Sequence, residues 1–181
     1  MRKRKTFRIW ALLLVLVIPA MLLAGQAEKK VLALDDYPKW KHIQEVTIAD
    51  NGDWITYGYR PNGGDVTLYI KSLKTEKIYE IAVGSDPIIS GDSRWAAYKI
   101  SPSKEEQKKL RKEKKPVTTK VELIDLSSGD KVTYANAASF VFSNDSGFFA
   151  VKKDKADKTA KHDGTDLVLR NLKTGLDLNI G

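Results

Sequence analysis

The 181-residue chain contains no cysteine. Disulfides, thiol nucleophiles and thiolate metal sites are therefore excluded, and the fold must hold together by its core alone. Histidine is scarce, with only His42 and His162 present. His42 lies in "YPKWKHIQEV" and His162 in a charged stretch. No serine near either carries the marks of a nucleophile, so neither is assigned as a catalytic base. The G-x-S-x-G and H-E-x-x-H motifs and a phosphate-cradling glycine loop are all missing. "DNGD" and "NDSG" have the look of calcium loops but lack the ligand number and the distal glutamate such a loop needs, so they read as turns. No catalytic, cofactor-binding or metal-binding residue is assigned, and no cofactor is expected.

Charge of one sign is present but unevenly placed. The formal net charge is +8, and Arg2, Lys3, Arg4, Lys5 and Arg8 supply five of those charges with no acid among residues 1–27. The remainder is an ordinary solvated surface rather than a nucleic-acid footprint, so no nucleic-acid partner is expected.

The N-terminus has three parts: the basic "MRKRKTFR", the apolar "IWALLLVLVIPAMLLAG", and small residues at Gly25 and Ala27. This is the grammar of an export signal over residues 1–27 with cleavage after Ala27, the alternative being an uncleaved anchor helix. The rest of the chain is expected outside the cytoplasm, periplasmic or extracellular, touching membrane only through that segment if it is retained. Residues 28–45 read as a lead-in.

Beyond it the chain repeats itself. "DNGDWITYGY" (50–59), "GDSRWAAYKI" (91–100) and "NDSGFFAVKK" (144–153) share a polar turn, an aromatic and an alternating strand. The anchoring aromatics Trp54, Trp95 and Phe148 are spaced by 41 and 53 residues. Each unit continues with a third strand ("TLYIKSL", "VELIDL", "LVLRNL"), a turn ("KTEK", "SSGD", "KTGL") and a fourth strand. Strand, polar turn, strand at this interval is the mark of propeller blades, each of which buries its faces only against its neighbours. The expected fold is all-β: a partial β-propeller of about three four-stranded antiparallel blades, near 46–81, 88–134 and 140–181. The three anchoring aromatics are expected to stack between adjacent sheets. Propellers close with about four to eight blades, so the arc is expected to belong to a longer protein or to assemble with something else.

The blades differ between strands two and three, and these connections should emerge on one face. The insert "SPSKEEQKKLRKEKKPVTT" in unit two reads as a short charged helix projecting into solvent. Ser103 would cap it with Glu106 at the reciprocal position, Glu105 and Lys109 are spaced for an ion pair, and Pro116 follows as a stop. Its basic excess reads as a solvated charged loop, with a docking face for a second domain or an acidic lipid surface as the sharper alternative.

The basic signal, "DDYPKWKHIQ", "ADNGDWITYGYRP" and "SGDSRWAAYKISP" together resemble the start of exported bacterial members of the prolyl oligopeptidase family, over about residues 35–181. The blades also resemble those of TolB-type propellers. The first resemblance implies a propeller that filters peptide substrates over a C-terminal α/β-hydrolase domain carrying a Ser-Asp-His triad. None of the triad positions falls within this sequence, so the chain is expected to be the non-catalytic, gating portion of such a serine peptidase, without peptidase activity of its own. The second implies a protein-binding scaffold with no hydrolase. A third possibility is a three-blade arc that assembles with other chains.

Overall fold

The computed structural model describes residues 31–154 and 165–181. The expected signal or anchor at 1–27 lies outside the described residues, as do His162 and most of the loop between strands two and three of the third unit. Among the described residues no helix is long and apolar enough to cross a membrane. The chain divides into two units, Met1–Asp36 and Tyr37–Gly181, and every sheet belongs to the second.

That unit holds three four-stranded antiparallel sheets. Blade 1 comprises β1 (Lys41–Ile48), β2 (Trp54–Pro61), β3 (Thr67–Ser72) and β4 (Ile78–Ala82). Blade 2 comprises β5 (Gly84–Ile89), β6 (Trp95–Ile100), β7 (Lys120–Asp125) and β8 (Lys131–Ala135). Blade 3 comprises β9 (Ala137–Phe142), β10 (Phe148–Lys153), β11 (Leu167–Asn171) and β12 (Asp177–Ile180). Each sheet is a meander in chain order, as the repeat predicts. The sheets start earlier than the sequence units: β1 opens at Lys41, inside the stretch read as lead-in. A register shift between Gln44 and Thr47 lets the strand continue past Glu45.

The turns explain why one turn–aromatic–strand motif recurs. Between the first and second strands the chain must enter the left-handed region, and it does so at Gly52 (φ 72°), Ser93 (φ 57°) and Ser146 (φ 53°). The third strand ends on Ser72, Asp125 or Asn171. Each side-chain oxygen accepts the N–H groups two and three residues on: Lys74 and Thr75 (3.2 and 3.1 Å), Ser127 and Ser128 (2.8 and 3.1 Å), Lys173 and Thr174 (3.0 and 2.9 Å). Three residue types thus make one local turn, because each offers a short acceptor.

Alternation along β2, β6 and β10 gives every blade a forward face and a back face. The forward face of blade 1 (Leu68, Ile70, Ile81, with Trp54) shares a core with the back face of blade 2 (Ala96, Tyr98, Ile124). The forward face of blade 2 (Ala97, Val121, Leu123, Tyr134, with Trp95) shares a second core with Phe149, Val151 and Val168 of blade 3. Each fully buried Leu, Ile or Phe contributes roughly 1.5–3 kcal/mol relative to exposure. Polar bonds cross the junctions too. The Tyr79 hydroxyl donates to the Leu126 carbonyl at 3.1 Å, and the Lys77 ammonium reaches the Ser127 carbonyl at 2.5 Å.

Two of the three anchoring aromatics behave as expected. Trp54 packs at the first junction, stacked on Tyr79 with centroids 6.0 Å apart, and Trp95 packs at the second. Phe148 does not stack between sheets: it is 40% exposed. Its register position is that of Trp54 and Trp95, opposite the last residue of the third strand, so it points to a forward face over which no described blade lies. Its neighbour Phe149, on the back face, is fully buried instead.

The insert forms α1 (Lys104–Lys112), capped by the Ser103 hydroxyl accepting from the Glu106 N–H at 3.2 Å. No residue of α1 is buried. The expected Glu105–Lys109 ion pair is not among the ion pairs of the described residues; Glu113 and Lys115 pair at 2.8 Å. The Lys104 N–H donates to Asp65 of the β2–β3 loop at 2.9 Å, so these connections of blades 1 and 2 emerge on the same face.

Candidate functional site

No residue was assigned to a site from sequence. His42 sits on β1, where its Nε2 lies 2.5 Å from Asn62 Oδ1. The Asn62 amide in turn donates to the Tyr37 carbonyl at 2.9 Å, so the imidazole ties the start of the blade to the β2–β3 loop. The calcium-like stretches are turns. Asn51 and Asp53 bond each other, and Asp145 accepts from the Ser143 hydroxyl at 2.6 Å and the Gly147 N–H at 3.0 Å. Those donors hold the Asp145 carboxyl below the usual carboxylate range. Among the described residues no cluster of three or more His, Cys, Asp or Glu side chains could hold a metal ion.

The structure brings together residues that sequence reasoning missed. The first strands β1 and β5 approach one another, and each has a register shift: around Glu45 in β1 and around Asp86 in β5. Both residues take positive φ (56° and 51°). The Asp86 backbone N–H favours the charged form of the Glu45 carboxyl, whereas the Asp86 carboxyl repels it. Burial, with that repulsion, pushes the Glu45 pKa up, while the Asp86 N–H and Arg60 oppose the rise. One Glu45 oxygen, Oε2, is buried without a hydrogen-bond partner. Asp86 is paired with Lys99 at 2.9 Å. The pair of positive-φ acids has no local sequence signature, because a register shift is set by the partner strand.

A second feature is a cleft of about 400 Å³ at the foot of α1, lined by Ser101, Glu106, Thr118, Thr119, Lys120 and Asn136 among others. It offers hydroxyls, a carboxylate and an ammonium, groups suited to hydrogen bonding and charge recognition.

A third is a hydrogen-bonded clasp between blades. The Asn51 N–H donates to the Ser93 hydroxyl at 3.3 Å, and the Asp92 N–H to the Ser146 hydroxyl at 3.1 Å. Both serines are buried. The signal was visible in the repeat, where Ser93 and Ser146 occupy one position of the turn and Gly52 the same position in blade 1.

With that geometry in hand, the similarity to known proteins is one of fold. The chain is similar to the β-propeller domain of the Trilobed protease from Pyrococcus furiosus, with a TM-score of 0.51 and 14% identity over 78% of this chain and 43% of that one. Its structural neighbours include β-propeller domains of prolyl oligopeptidase-family peptidases. The fold is a partial β-propeller. A prolyl endopeptidase matches with a TM-score of 0.50 and 14% identity over 77% of this chain and 22% of that chain. The propeller thus spans less than half the length of either neighbour. Comparison with models of known families finds no match, and no curated protein matches the sequence.

Proposed function

We propose that this propeller is the non-catalytic portion of an exported serine peptidase of the prolyl oligopeptidase or dipeptidyl aminopeptidase kind, gating peptide access to an α/β-hydrolase domain. The observation that carries the reading is the stacking of four-stranded blades in the manner of peptidase propellers. The basic and apolar N-terminal segment supports export to the periplasm or beyond, with the membrane touched only through that segment if it is kept.

In this reading the chain performs no covalent step. Acyl transfer would belong to a serine in the hydrolase domain. The propeller's own residues select. The first strands of blades 1 and 2 carry Glu45 and Asp86, with Lys99 of β6 paired to Asp86 and the charge of Arg60 on β2 acting on Glu45, a charged set for whatever passes between them. A partly buried carboxyl with an unmet acceptor oxygen favours a hydrogen-bond donor, such as a peptide amine or amide.

The experiment is to read the coding frame beyond the Gly181 codon and to assay the protein it encodes on a chromogenic peptide. The expected result is more blades followed by a G-x-S-x-G elbow, with turnover lost when that serine is replaced. The 181-residue chain alone should give no turnover. Blades without a hydrolase would instead establish a TolB-like scaffold, and a frame without further blades would end the peptidase reading.

A further inference from the structure

The antiparallel meander sorts the connections onto two ends of each blade. The turns joining first strands to second strands lie at one end and carry Asp50, Asp53, Asp92 and Asp145. The β2–β3 and β6–β7 connections lie at the other end, together with the start of β1. Three features meet at that second end.

The first is α1. From Lys104 to Lys115 the chain holds seven basic and three acidic residues, an excess of four positive charges. Gln107 and Leu110 are the half-buried residues of the helix. Helical spacing puts Lys108, Lys109 and Lys112 on the opposite, outward side. Among the described residues none of these three ammonium groups is in an ion pair.

The second is the place where the chain enters blade 1. The Asn62 N–H donates to the Trp40 carbonyl at 3.1 Å, and the Asn62 side-chain amide to the Tyr37 carbonyl at 2.9 Å. Asp65, in the same loop, accepts from the Lys104 N–H at 2.9 Å. One loop thus fastens both the entry to β1 and the N-terminus of α1. Ala27, the end of the basic and apolar segment, is ten residues from Tyr37, a reach of at most about 36 Å.

The third is an aromatic pair. Tyr37 and Trp40 are 58% and 49% exposed, with ring centroids 5.7 Å apart. Such rings collect at membrane–water boundaries, where one end meets apolar chains and the other meets water.

We propose that this end of the arc rests on an anionic bilayer surface, with α1 binding acidic phospholipid headgroups and Tyr37 and Trp40 at the boundary. Headgroup charge is diffuse and mobile, so it suits outward ammonium groups that no partner within the fold fixes. An acidic protein would need shaped contacts, which a helix with no buried residue does not offer. The N-terminal segment also leads to this end of the blades rather than to the aspartate-bearing one. The inference goes beyond the peptidase reading: the folded propeller itself meets the membrane, whether or not residues 1–27 are kept. Each cation near such a surface favours binding about five-fold, so Lys108, Lys109 and Lys112 together supply about 100-fold at low salt.

The experiment is lysine acetylation of the full chain reconstituted with vesicles, read residue by residue by mass spectrometry. Phosphatidylcholine vesicles are compared with vesicles that also contain phosphatidylglycerol. Lys104, Lys108, Lys109 and Lys112 should label several-fold more slowly on the anionic vesicles. Lys74 and Lys173, in turns at the aspartate-bearing end, should label alike on both. About 1 M salt, where the Debye length is about 3 Å, should abolish the difference. A triple variant, Lys108→Gln with Lys109→Gln and Lys112→Gln, touches no buried residue and keeps good helix formers, and circular dichroism confirms its folding. In that variant Lys104 should label alike on both vesicles. Equal labelling of α1 on the two lipids in the parent chain overturns the proposal, and is the outcome for a helix kept for an acidic protein or for solvent. So does equal protection of Lys74 and Lys173, which would mean the attraction has no preferred face. Protection of Lys104 that survives in the variant also overturns it, since nearness would then be imposed by the N-terminal segment alone. None of these outcomes bears on the coding frame, so the peptidase reading stands or falls separately.

Discussion

Tyr98 is the side chain on which the first junction can be tested most sharply. It is fully buried in the core between blades 1 and 2, and its hydroxyl donates to Glu122 Oε2 at 2.9 Å. Burial, and then the bond to Glu122, push the hydroxyl pKa up, so it remains the donor throughout the working pH range. Glu122 is itself held by Lys131 at 3.5 Å and Lys120 at 3.7 Å, with its side chain 12% exposed. Tyr98→Phe keeps the ring and its packing and removes only the donor, leaving a nearly buried carboxylate one bond short. A hydrogen bond to a charged group is worth about 1.5–3 kcal/mol. For a domain of this size that corresponds to a Tm lower by about 3–12 °C. Urea unfolding followed by tryptophan fluorescence suits the assay, because Trp54 and Trp95 report the two junctions. The loss should shrink when Glu122→Gln is already present, since the charge assistance is then gone. A Tyr98→Phe chain within about 0.5 kcal/mol of the parent, or additive single and double variants, would refute the account, because neighbours sharing a bond must couple.

Two further outcomes follow from the same geometry. The Glu45 carboxyl is raised by burial and lacks a partner on one oxygen; a folded-state pKa above the unfolded value contributes stability at low pH that is lost as pH rises through the folded pKa. Glu45→Gln should therefore raise Tm at neutral pH, and the gain should fade on acidification through that raised pKa; thermal melts across the range check it, and a Tm difference independent of pH would sink it. Gly84 opens β5, where an added Cβ would lie 2.9 Å from both Leu68 Cβ and Ile81 Cγ2. Gly84→Ala should cost about 1–3 kcal/mol through overpacking, read from the urea midpoint, whereas unchanged stability would mean the first junction has slack.

The expectations that held rest on local physics. Turn residues fix positive φ, strand alternation fixes which residues share a face, and repetition of both fixes three sheets of four strands. Ser103 as a helix cap is of the same kind, since it needs only the residue three positions on. Apart from the Glu105–Lys109 pair on the exposed helix, what failed or was missed depends on neighbours distant in sequence. Phe148 carries the same signal as Trp54 and Trp95, but burial belongs to a pair of faces, and among the described residues no blade covers its own. The Glu45–Asp86 pair arises because two register shifts on adjacent first strands point at each other. The Ser93 and Ser146 hydroxyls are mere turn residues until the preceding blade brings an N–H to them.

The sequence by itself determined the unit: its turns, its strand order and its two-faced alternation, all set by interactions within a few residues. Only the tertiary structure decided which faces are buried, which acids are crowded and which hydroxyls are bonded, because those energies exist only once separate blades exclude water from the space between them.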